Sequence, residues 1–310
     1  MSHSEPRRQF LRSALYGAAG AAAALALPGA QAAAPAAIAA TPLSDTLTLF
    51  TGAGANVLAL RDADGAALVD GGLAEHSGAL LDAVRAHTGA PRIHTLFNTH
   101  WHPEQTGSNL ALGRAGARIL AHENTRLWLM YANPVPESTA SYGPLPPAGR
   151  PTQTFFYGVQ KAMLGEEPVE YGYLLQAHTD GDIYVYFRRA NVLAAGCAAA
   201  GAGWPIIDYK TGGWIVGLER ALKTMIAVTD EHTRIVPAHG PVLTRADLIE
   251  QQKMFGTISL RLQKMLRQGL GPNEAVAKAP TAEYDARWGD PRAFVTMAFK
   301  SLWGHFAPDA

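Results

Sequence analysis

Residues 98–107 have the sequence Asn98-Thr99-His100-Trp101-His102-Pro103-Glu104-Gln105-Thr106-Gly107. Side chains two positions apart in an extended or turning backbone point the same way, so His100, His102 and Glu104 could converge on one point. Imidazole and carboxylate groups together suit a borderline divalent ion such as zinc. Taken alone, the stretch could also be a polar loop in which two histidines are neighbours. The rest of the chain decides between these interpretations.

The composition is that of a globular protein. The chain has 310 residues, of which 48% are hydrophobic and 17% charged, which is enough for one large or two small domains with a sizeable core. Lys+Arg and Asp+Glu number 26 each, so the formal net charge is +0. A nucleic-acid partner would need a basic face, and the charge balance gives no sign of one. We therefore expect no nucleic-acid partner.

The N-terminus has the features of an export signal. Residues 7–12 read Arg-Arg-Gln-Phe-Leu-Arg, a twin-arginine motif, and an Ala-rich apolar run over about 14–27 precedes the small-residue pattern Ala30-Gln31-Ala32. We predict a signal peptide over 1–32, removed on export by the twin-arginine machinery to the periplasm, and a linker over 33–42. The run is too short for a confident transmembrane helix, so no stable membrane anchor is expected. Two alternatives stay open: a basic N-terminal helix of the mature fold, and a membrane-attached interaction protein with an uncleaved N-terminus.

Strand-like and helix-like segments alternate in two successive runs. Strands are predicted at 46–51, 56–61, 66–70, 93–97, 117–121, 183–187, 192–195 and 234–237, and helices at 75–88, about 105–113, and 214–229. The long loop over 133–152, rich in Pro, Ser and Gly, is typical of a lid or binding loop. We predict a main domain over 43–243 and a largely helical C-terminal extension over 244–310, packed on the same domain.

Residues of ligand type follow the predicted strands. The six candidates are His100, His102, Glu104, His178, Cys197 and His239. Four separate apolar segments, 93–97, 174–177, 192–195 and 234–237, each deliver at least one of them, which favours a metal centre over coincidence. Cys197, the single cysteine, cannot form an intrachain disulfide and is expected to be a buried apolar residue, a metal ligand or a liability. Asp70, at another strand end, could orient a ligand histidine or be an ordinary turn aspartate, and His122 is expected to be structural.

This pattern resembles the metallo-β-lactamase fold superfamily, whose hallmark is H-x-H-x-D-H followed by three spaced ligands. The resemblance runs from Asp70-Gly71 through His239-Gly240-Pro241. It implies an α/β fold, an αββα four-layer sandwich with C-terminal helices, with the metals at one edge between the two sheets and a bound hydroxide as nucleophile. The superfamily hydrolyses lactams, thioesters, lactones, phosphodiesters and more, so the motif does not specify a substrate.

Three departures from the hallmark narrow the resemblance. Glu104 replaces the usual aspartate, Gln105 the usual histidine, and Cys197 stands where many members have a metal-bridging aspartate. The last change resembles the cysteine-containing subclass of metallo-β-lactamases. That subclass implies one site of His100, His102 and His178 and a second of Glu104, Cys197 and His239. The Cys197 thiolate would then supply the ligand that Gln105 no longer provides.

Other segments resemble a different group within the superfamily. The subclass places a lysine shortly after the cysteine, whereas here Ala198-Ala199-Ala200-Gly201-Ala202 follows Cys197 and the next lysine is Lys210. The segments 207–214 and 280–289 are similar to exported zinc hydrolases associated with sulfur-oxidation and quinoprotein gene clusters. This second resemblance weakens the case for a true β-lactamase.

The sequence therefore predicts an exported zinc-dependent hydrolase with one or two zinc ions and a small-molecule substrate. The resemblance implies that a metal-bound hydroxide attacks an ester, thioester, lactone or amide carbonyl. Glu104 and Asp70 are the candidate catalytic residues, and Glu104 is either a ligand of the second ion or a general base. The alternative is a non-hydrolytic metal- or ligand-binding member of the fold with an altered second metal site.

Overall fold

The computed structural model describes residues 37–136 and 138–306. Its strands are β1 (Ala39–Pro42), β2 (Leu47–Thr51), β3 (Val57–Asp62), β4 (Gly65–Val69), β5 (Ile93–Phe97), β6 (Arg118–His122), β7 (Asn133–Pro134), β8 (Ser141–Tyr142), β9 (Gln153–Phe155), β10 (Val159–Leu164), β11 (Glu167–Tyr173), β12 (Ile183–Phe187), β13 (Val192–Gly196) and β14 (Arg234–Pro237). Its α-helices are α1 (Ser77–Thr88), α2 (Pro103–Thr106), α3 (Asn109–Arg114), α4 (Glu123–Trp128), α5 (Ile215–Val228), α6 (Arg245–Arg267), α7 (Pro272–Ala277), α8 (Asp285–Trp288) and α9 (Arg292–Phe306). The predicted signal peptide and linker residues 33–36 lie outside these ranges. Within them, no helix has the combined length and apolar character that crossing a membrane requires.

Two β-sheets form the middle of the fold. The first has the strand order β1-β2-β3-β4-β5-β6-β9 and the second the order β10-β11-β12-β13-β14, while β7 and β8 form a separate hairpin. Strands β4, β5 and β6 are parallel neighbours, and so are β13 and β14. Parallel neighbours end at the same edge of a sheet, so the loops that follow them lie together.

Alternation along the strands divides the apolar residues between the two faces of each sheet. In β4, Ala67 and Val69 belong to the core between the sheets, whereas Ala66 and Leu68 belong to the core under α1. In the second sheet, Leu193 packs in a third core that includes Phe255 of α6 and also α5 and α9. Helices thus cover the outer face of each sheet. The predicted α/β fold, an αββα four-layer sandwich with C-terminal helices, is confirmed.

The predicted helix over 105–113 consists of two helices that are separated at Gly107. The Gly107 N–H donates to the Gly72 carbonyl at 3.0 Å, and a Cβ at Gly107 would clash with that carbonyl and with the backbone nitrogen of Ala74. The motif segment therefore lies directly against the loop after β4, and only glycine permits that approach. This contact fixes where α2, which carries Glu104, begins and ends.

Two other segments differ from the sequence-based expectation. Residues 39–42, within the predicted linker, form strand β1, which pairs antiparallel with β2 at the sheet edge. The loop over 133–152 contains the hairpin of β7 and β8. We refer to this hairpin and the described residues between its strands, 133–136 and 138–142, as the flap.

Candidate metal centre

The predicted ligands lie at one edge of the two sheets, where the strands end. His100 and His102 follow β5, His178 follows β11, Cys197 follows β13 and His239 follows β14. The two sheets are joined here by backbone hydrogen bonds, including Ile183 N–H to the Thr99 carbonyl at 2.9 Å. Ligand-type residues from both halves of the chain therefore meet at this edge.

Three imidazole rings form the centre of this site. The ring centroids of His100, His102 and His178 are 4.7, 4.6 and 4.8 Å apart in pairs, and each pair of rings is close to perpendicular. All three side chains are buried. Edge-to-face packing is common between rings, and here it also lets the three rings point nitrogens towards a common centre.

Each ring is held by a hydrogen bond to one of its two nitrogens. His178 Nδ1 contacts the Ile206 carbonyl at 2.8 Å, and His102 Nε2 contacts a carboxylate oxygen of Asp208 at 3.1 Å. His100 Nδ1 lies 3.2 Å from the hydroxyl of Thr99, whose own proton is directed to Asp70. The Ile206 carbonyl and the Asp208 carboxylate only accept, so they assign the ring hydrogens of His178 and His102 to the outer nitrogens. The Thr99 hydroxyl donates its proton to Asp70 and can therefore only accept from His100. The inner nitrogen of each ring keeps a lone pair.

The inner nitrogens have no hydrogen to share. His102 Nδ1 and His178 Nε2 are 3.0 Å apart, and His100 Nε2 is buried with no hydrogen-bond partner in the described part of the chain. Facing lone pairs repel, and a buried unpaired acceptor costs about 1–3 kcal/mol. A cation among the three nitrogens removes both penalties, so the residues present fit a divalent ion that favours imidazole.

The electrostatics of the site favour neutral imidazoles at His100 and His178. Burial lowers the pKa of His100 well below its ordinary value, and the neighbouring histidines lower it further. Burial likewise lowers the pKa of His178, with a further contribution from His102. Burial opposes the ionisation of Asp208, but hydrogen bonds from His102 and Thr211 hold its pKa below the usual value. Neutral rings and an ionised Asp208 are the protonation states that a metal-binding histidine needs.

Cys197 belongs to the same group as two of the histidines. Ligand atoms of His100, His178 and Cys197 all lie within 4.8 Å of one another. Gly196 makes this possible, because a Cβ there would lie 2.7 Å from the Thr99 hydroxyl oxygen. Burial raises the pKa of the Cys197 thiol well above its ordinary value, and the charge of Glu104 adds to this. A bound cation would offset these effects and favour the thiolate.

Glu104 and His239 lie outside that close group, but both line the cavity in front of it together with His102, His178 and Cys197. Glu104 lies in the first turn of α2 and His239 is exposed. Their assignment to a second metal site, and that of Cys197, stays a prediction. The tight group also allows Cys197 to bind the same ion as His100 and His178.

Gln105 is buried beside the motif histidines with an unsatisfied amide. Neither its Oε1 nor its Nε2 has a hydrogen-bond partner among the described residues. Its backbone carbonyl, in contrast, accepts from Gly71 N–H at 2.8 Å and from Asn98 Nδ2 at 3.1 Å. The backbone of the motif is therefore fixed while one side chain remains unpaired.

Asp70 contacts Thr99 and is absent from the described lining of the cavity. Its two carboxylate oxygens accept from the Thr99 N–H at 2.7 Å and from the Thr99 hydroxyl at 2.8 Å. Burial raises the pKa of Asp70 to about 8, although the Thr99 bonds oppose that shift. The contacts of Asp70 thus reach His100 through Thr99, and both its orienting role and its catalytic role stay predictions.

His122 has structural contacts. Its Nδ1 accepts from the Asn124 N–H at 3.2 Å, its Nε2 lies 2.9 Å from the Phe156 carbonyl, and its ring stacks on Tyr173. It therefore caps α4 and contributes to packing.

Two positioning residues were not identified from the sequence. Asp208 holds His102, and Asn56 donates from Nδ2 to the carbonyls of Pro237 and Gly240, at 2.9 and 3.0 Å, on either side of His239. Both side chains are buried. No spacing rule links them to the histidines, and a polar residue before a strand was the only local signal for Asn56.

A cavity of about 220 Å³ opens in front of the metal centre. Beyond the five ligand-type residues, its described lining comes from Val135 and Pro136 of the flap, from the segments 199–202 and 204–206, and from Ala238. The cavity gives a small molecule access to the site.

Comparison with known proteins gives a matching family model. The family model described as the metallo-beta-lactamase superfamily matches residues 50–239. That range includes all six predicted ligands as well as Asp70 and Asp208.

Solved structures share the fold at low sequence identity. A metallo-beta-lactamase from Pontibacter korlensis is 19% identical, with a TM-score of 0.56, and the match covers 71% of this chain and 99% of that one. The DIM-1 metallo-beta-lactamase is 18% identical, with a TM-score of 0.57, covering 71% and 97%. The stereoselective inverting sec-alkylsulfatase Pisa1 from Pseudomonas sp. is 13% identical, with a TM-score of 0.64, covering 88% of this chain and 51% of that one. Identities this low show the fold alone.

Proposed function

The chain belongs to the metallo-β-lactamase superfamily, and from that premise we propose that it is a zinc-dependent hydrolase of small molecules that carry an ester, thioester, lactone or amide. One observation carries the proposal. His100, His102 and His178 each have the outer nitrogen hydrogen-bonded, and their inner nitrogens converge without a hydrogen between them. A site built in this way fits a metal ion and has no evident use without one.

We assign one ion to His100, His102 and His178, and a second to Glu104, Cys197 and His239. When bound, zinc supplies an activated water and a Lewis acid for a carbonyl oxygen. Identity of the metal and the number of ions are part of the proposal.

The chain's own residues orient the donors and handle protons. Thr99, Asp208 and the Ile206 carbonyl fix the three rings, so the donors need little rearrangement when the site is filled. Glu104 at the cavity wall can accept a proton from the attacking water or serve as a ligand. Its side chain is one methylene longer than aspartate, with roughly 1.5 Å of extra reach, which shifts where its carboxylate acts.

The test is metal content together with turnover. Metal per chain is measured by mass spectrometry on the mature protein, and turnover on a panel of esters, thioesters, lactones and β-lactams. We expect bound zinc, loss of turnover on chelation and recovery on adding zinc. His102→Ala should lose most of both, whereas His232→Ala, whose side chain is 83% exposed and remote from the site, should lose neither. Full turnover by metal-free protein would contradict the proposal.

The second site is tested with two further variants. Cys197→Ser should lower metal content and turnover, because a hydroxyl is a much poorer zinc ligand than a thiolate. Gln105→His should restore part of the loss in the Cys197→Ser background, since it offers an imidazole beside Glu104. Unchanged metal content and activity in Cys197→Ser would show that the assignment of Cys197 is wrong.

We also propose that the protein is exported to the periplasm through the twin-arginine route. The support is the motif at residues 7–12 and the cleavage pattern ending at Ala32. Sequencing the first residues of the mature protein from a periplasmic fraction tests this. A mature protein that begins at residue 33 is expected, and an uncleaved N-terminus would favour membrane attachment instead.

A non-hydrolytic metal- or ligand-binding protein is the second candidate. It is favoured by the unpaired amide of Gln105 and by the position of Glu104 outside the close ligand group. Stoichiometric zinc without turnover across the whole panel would support this candidate over the hydrolase.

A further inference from the structure

The cavity in front of the metal centre has an apolar wall. Apart from the ligand-type residues, the described residues that line it are Ala, Gly, Val, Pro, Ile and Trp, and none is lysine or arginine. The charged side chain among the lining residues is Glu104, which is acidic. A carboxylate or sulfate placed here would find no cationic side chain, and burying an unpaired anion is costly.

The wall is held rigidly by the C-terminal helices. The buried side-chain amide of Gln251, on α6, accepts from Ala200 N–H at 3.0 Å and donates to the Ala200 carbonyl at 2.9 Å. Trp204 stacks on Phe294 at 4.6 Å, and its indole N–H donates to the Gly289 carbonyl at 3.0 Å. These contacts preorganise the wall, and a preorganised wall favours groups that match its shape.

The cavity is small. Its volume of about 220 Å³ lies below the roughly 300–1,000 Å³ of pockets that hold drug-sized ligands. A short acyl group fits this space better than a bicyclic lactam does.

Basic side chains line two neighbouring cavities. Lys210, Arg292 and Lys300 line a cavity of about 610 Å³ that shares Val135 and Pro136 of the flap with the first. Arg287, which pairs with Glu250, lines another cavity that shares Ala200, Gly201 and Ala202 with the first. These neighbouring cavities give the competing explanations that the experiment has to exclude.

We propose that the metal centre acts on small uncharged esters or thioesters whose short acyl group occupies the apolar cavity, and that it discriminates against substrates with a carboxylate or sulfate on that group. This specificity rests on the proposed hydrolytic function. The oxygen of water bonds to the carbonyl carbon, and the bond from that carbon to the leaving oxygen or sulfur breaks. The leaving group takes one proton of the water, and the acid releases the other to solvent.

The experiment compares three 4-nitrophenyl esters: acetate, butyrate, and the monoester of succinate, which replaces the terminal methyl of butyrate by a carboxylate. We expect kcat/KM for butyrate to exceed that for acetate about 15-fold, since each buried methylene contributes about fourfold. The succinate ester should be at least about a hundredfold poorer than butyrate. A higher kcat/KM for the succinate ester than for the butyrate ester would overturn the inference.

Variants of the wall and of the neighbouring cavities separate these explanations. Ala202→Lys places a cation at the exposed rim and should narrow the gap between butyrate and succinate about tenfold, whereas the uncharged Ala202→Gln should not. Lys210→Ala and Arg287→Ala are expected to leave the ratio unchanged. A ratio that changes in either of these two variants and not in Ala202→Lys would place the acyl group in a neighbouring cavity and overturn the inference.

A binding measurement tests the proposed specificity independently of the proposed hydrolytic function. Butanohydroxamic acid and the monohydroxamate of succinic acid are titrated calorimetrically into the zinc-loaded protein. Tighter binding of butanohydroxamic acid than of the succinic monohydroxamate, without turnover of any ester, would contradict the proposed function and support the specificity. Equal affinity, tighter binding of the succinate compound, or no binding of either would overturn the specificity.

Discussion

At the scale of single residues, the partner behind each histidine decides which nitrogen is presented to a metal. Asp208 is the strongest of these partners, because its carboxylate receives both the His102 Nε2–H at 3.1 Å and the Thr211 hydroxyl at 2.6 Å. The Thr211 bond fixes the carboxylate in turn. A neutral side chain at position 208 would hold the His102 ring less firmly. It would also lack the negative charge that makes His102 a stronger ligand for a metal ion.

We therefore predict that Asp208→Asn lowers zinc affinity about 10- to 100-fold, as measured by competition with a chromophoric chelator. Asp180→Asn is the matched control, because that partly buried carboxylate accepts from Trp128 Nε1 at 2.7 Å and has no recorded contact with a predicted ligand. Equal losses in both variants would show that Asp208 acts through general stability and not through His102.

The sequence predicted the histidines and offered Asp70 as an orienting residue, but it missed Asp208 and Asn56, for a physical reason. His100 and His102 follow an apolar strand, which is a local pattern that can be read directly. Asp208 is separated by 106 positions from His102, and Asn56 by 181 from Pro237. Such contacts depend on how the two sheets pack, which no local pattern encodes.

At the scale of elements, the end of β13 determines where Cys197 lies. Gly196 has φ of 54°, in the left-handed region, and the register between β13 and β14 shifts at this point. Thr99 occupies the space that a side chain at 196 would need. The bend of one strand and the packing of the loop after another therefore bring the thiol to His100.

Gly196→Ala is expected to reduce both stability and zinc content. The positive φ costs about 1–2 kcal/mol, and the clash with Thr99 adds about 1–3 kcal/mol, measured by urea unfolding of the metal-free protein. Gly89→Ala is the control, since Gly89 has φ of 66° with nothing within 4 Å of the added Cβ. Gly89→Ala should lose only the stability that the positive φ costs, about 1–2 kcal/mol, and should keep its zinc content. The same loss in both variants would remove the argument for the Thr99 contact.

Element boundaries were predictable where apolar residues cluster and not where polar residues carry the strand. All five residues of β12 are buried, and the sequence predicts that strand with its observed bounds. Strands β10 and β11 were not predicted, because Lys161, Glu167 and Glu170 interrupt the apolar pattern in a hairpin at the sheet edge. The break between α2 and α3 depends on a backbone contact made by Gly107, which a helical period does not reveal.

At the scale of the whole molecule, the site depends on the two sheets being held together at one edge. Ala238 is the clearest link, because its N–H donates to Gly196 in β13 at 2.8 Å and its carbonyl accepts from Asn56 N–H, just before β3, at 2.7 Å. The Asn56 side chain adds two bonds around His239. The loop that carries His239 is thus fixed by both sheets.

We predict that Asn56→Ala costs about 2 kcal/mol in the free energy of unfolding and also weakens zinc binding at the site that includes His239. Asn133→Ala is the matched control, because Asn133 is equally buried and its Nδ2 also donates to two backbone carbonyls, those of Trp128 and Tyr131. The two variants should be similarly stable, but calorimetric titration should show weaker zinc binding in Asn56→Ala than in Asn133→Ala. Identical titrations would show that Asn56 does not act on His239.

The contact between Gln251 and Ala200 connects the C-terminal helices to the cavity wall, and this bears on how the protein can evolve. A substitution on α6 that moves Gln251 would act on the Ala200 segment of the cavity wall without replacing any predicted metal ligand. During evolution, substitutions in these helices could then change the substrate specificity without abolishing the ancestral reaction. Diversification by this route would leave the histidine motif unaltered and concentrate variation after residue 244.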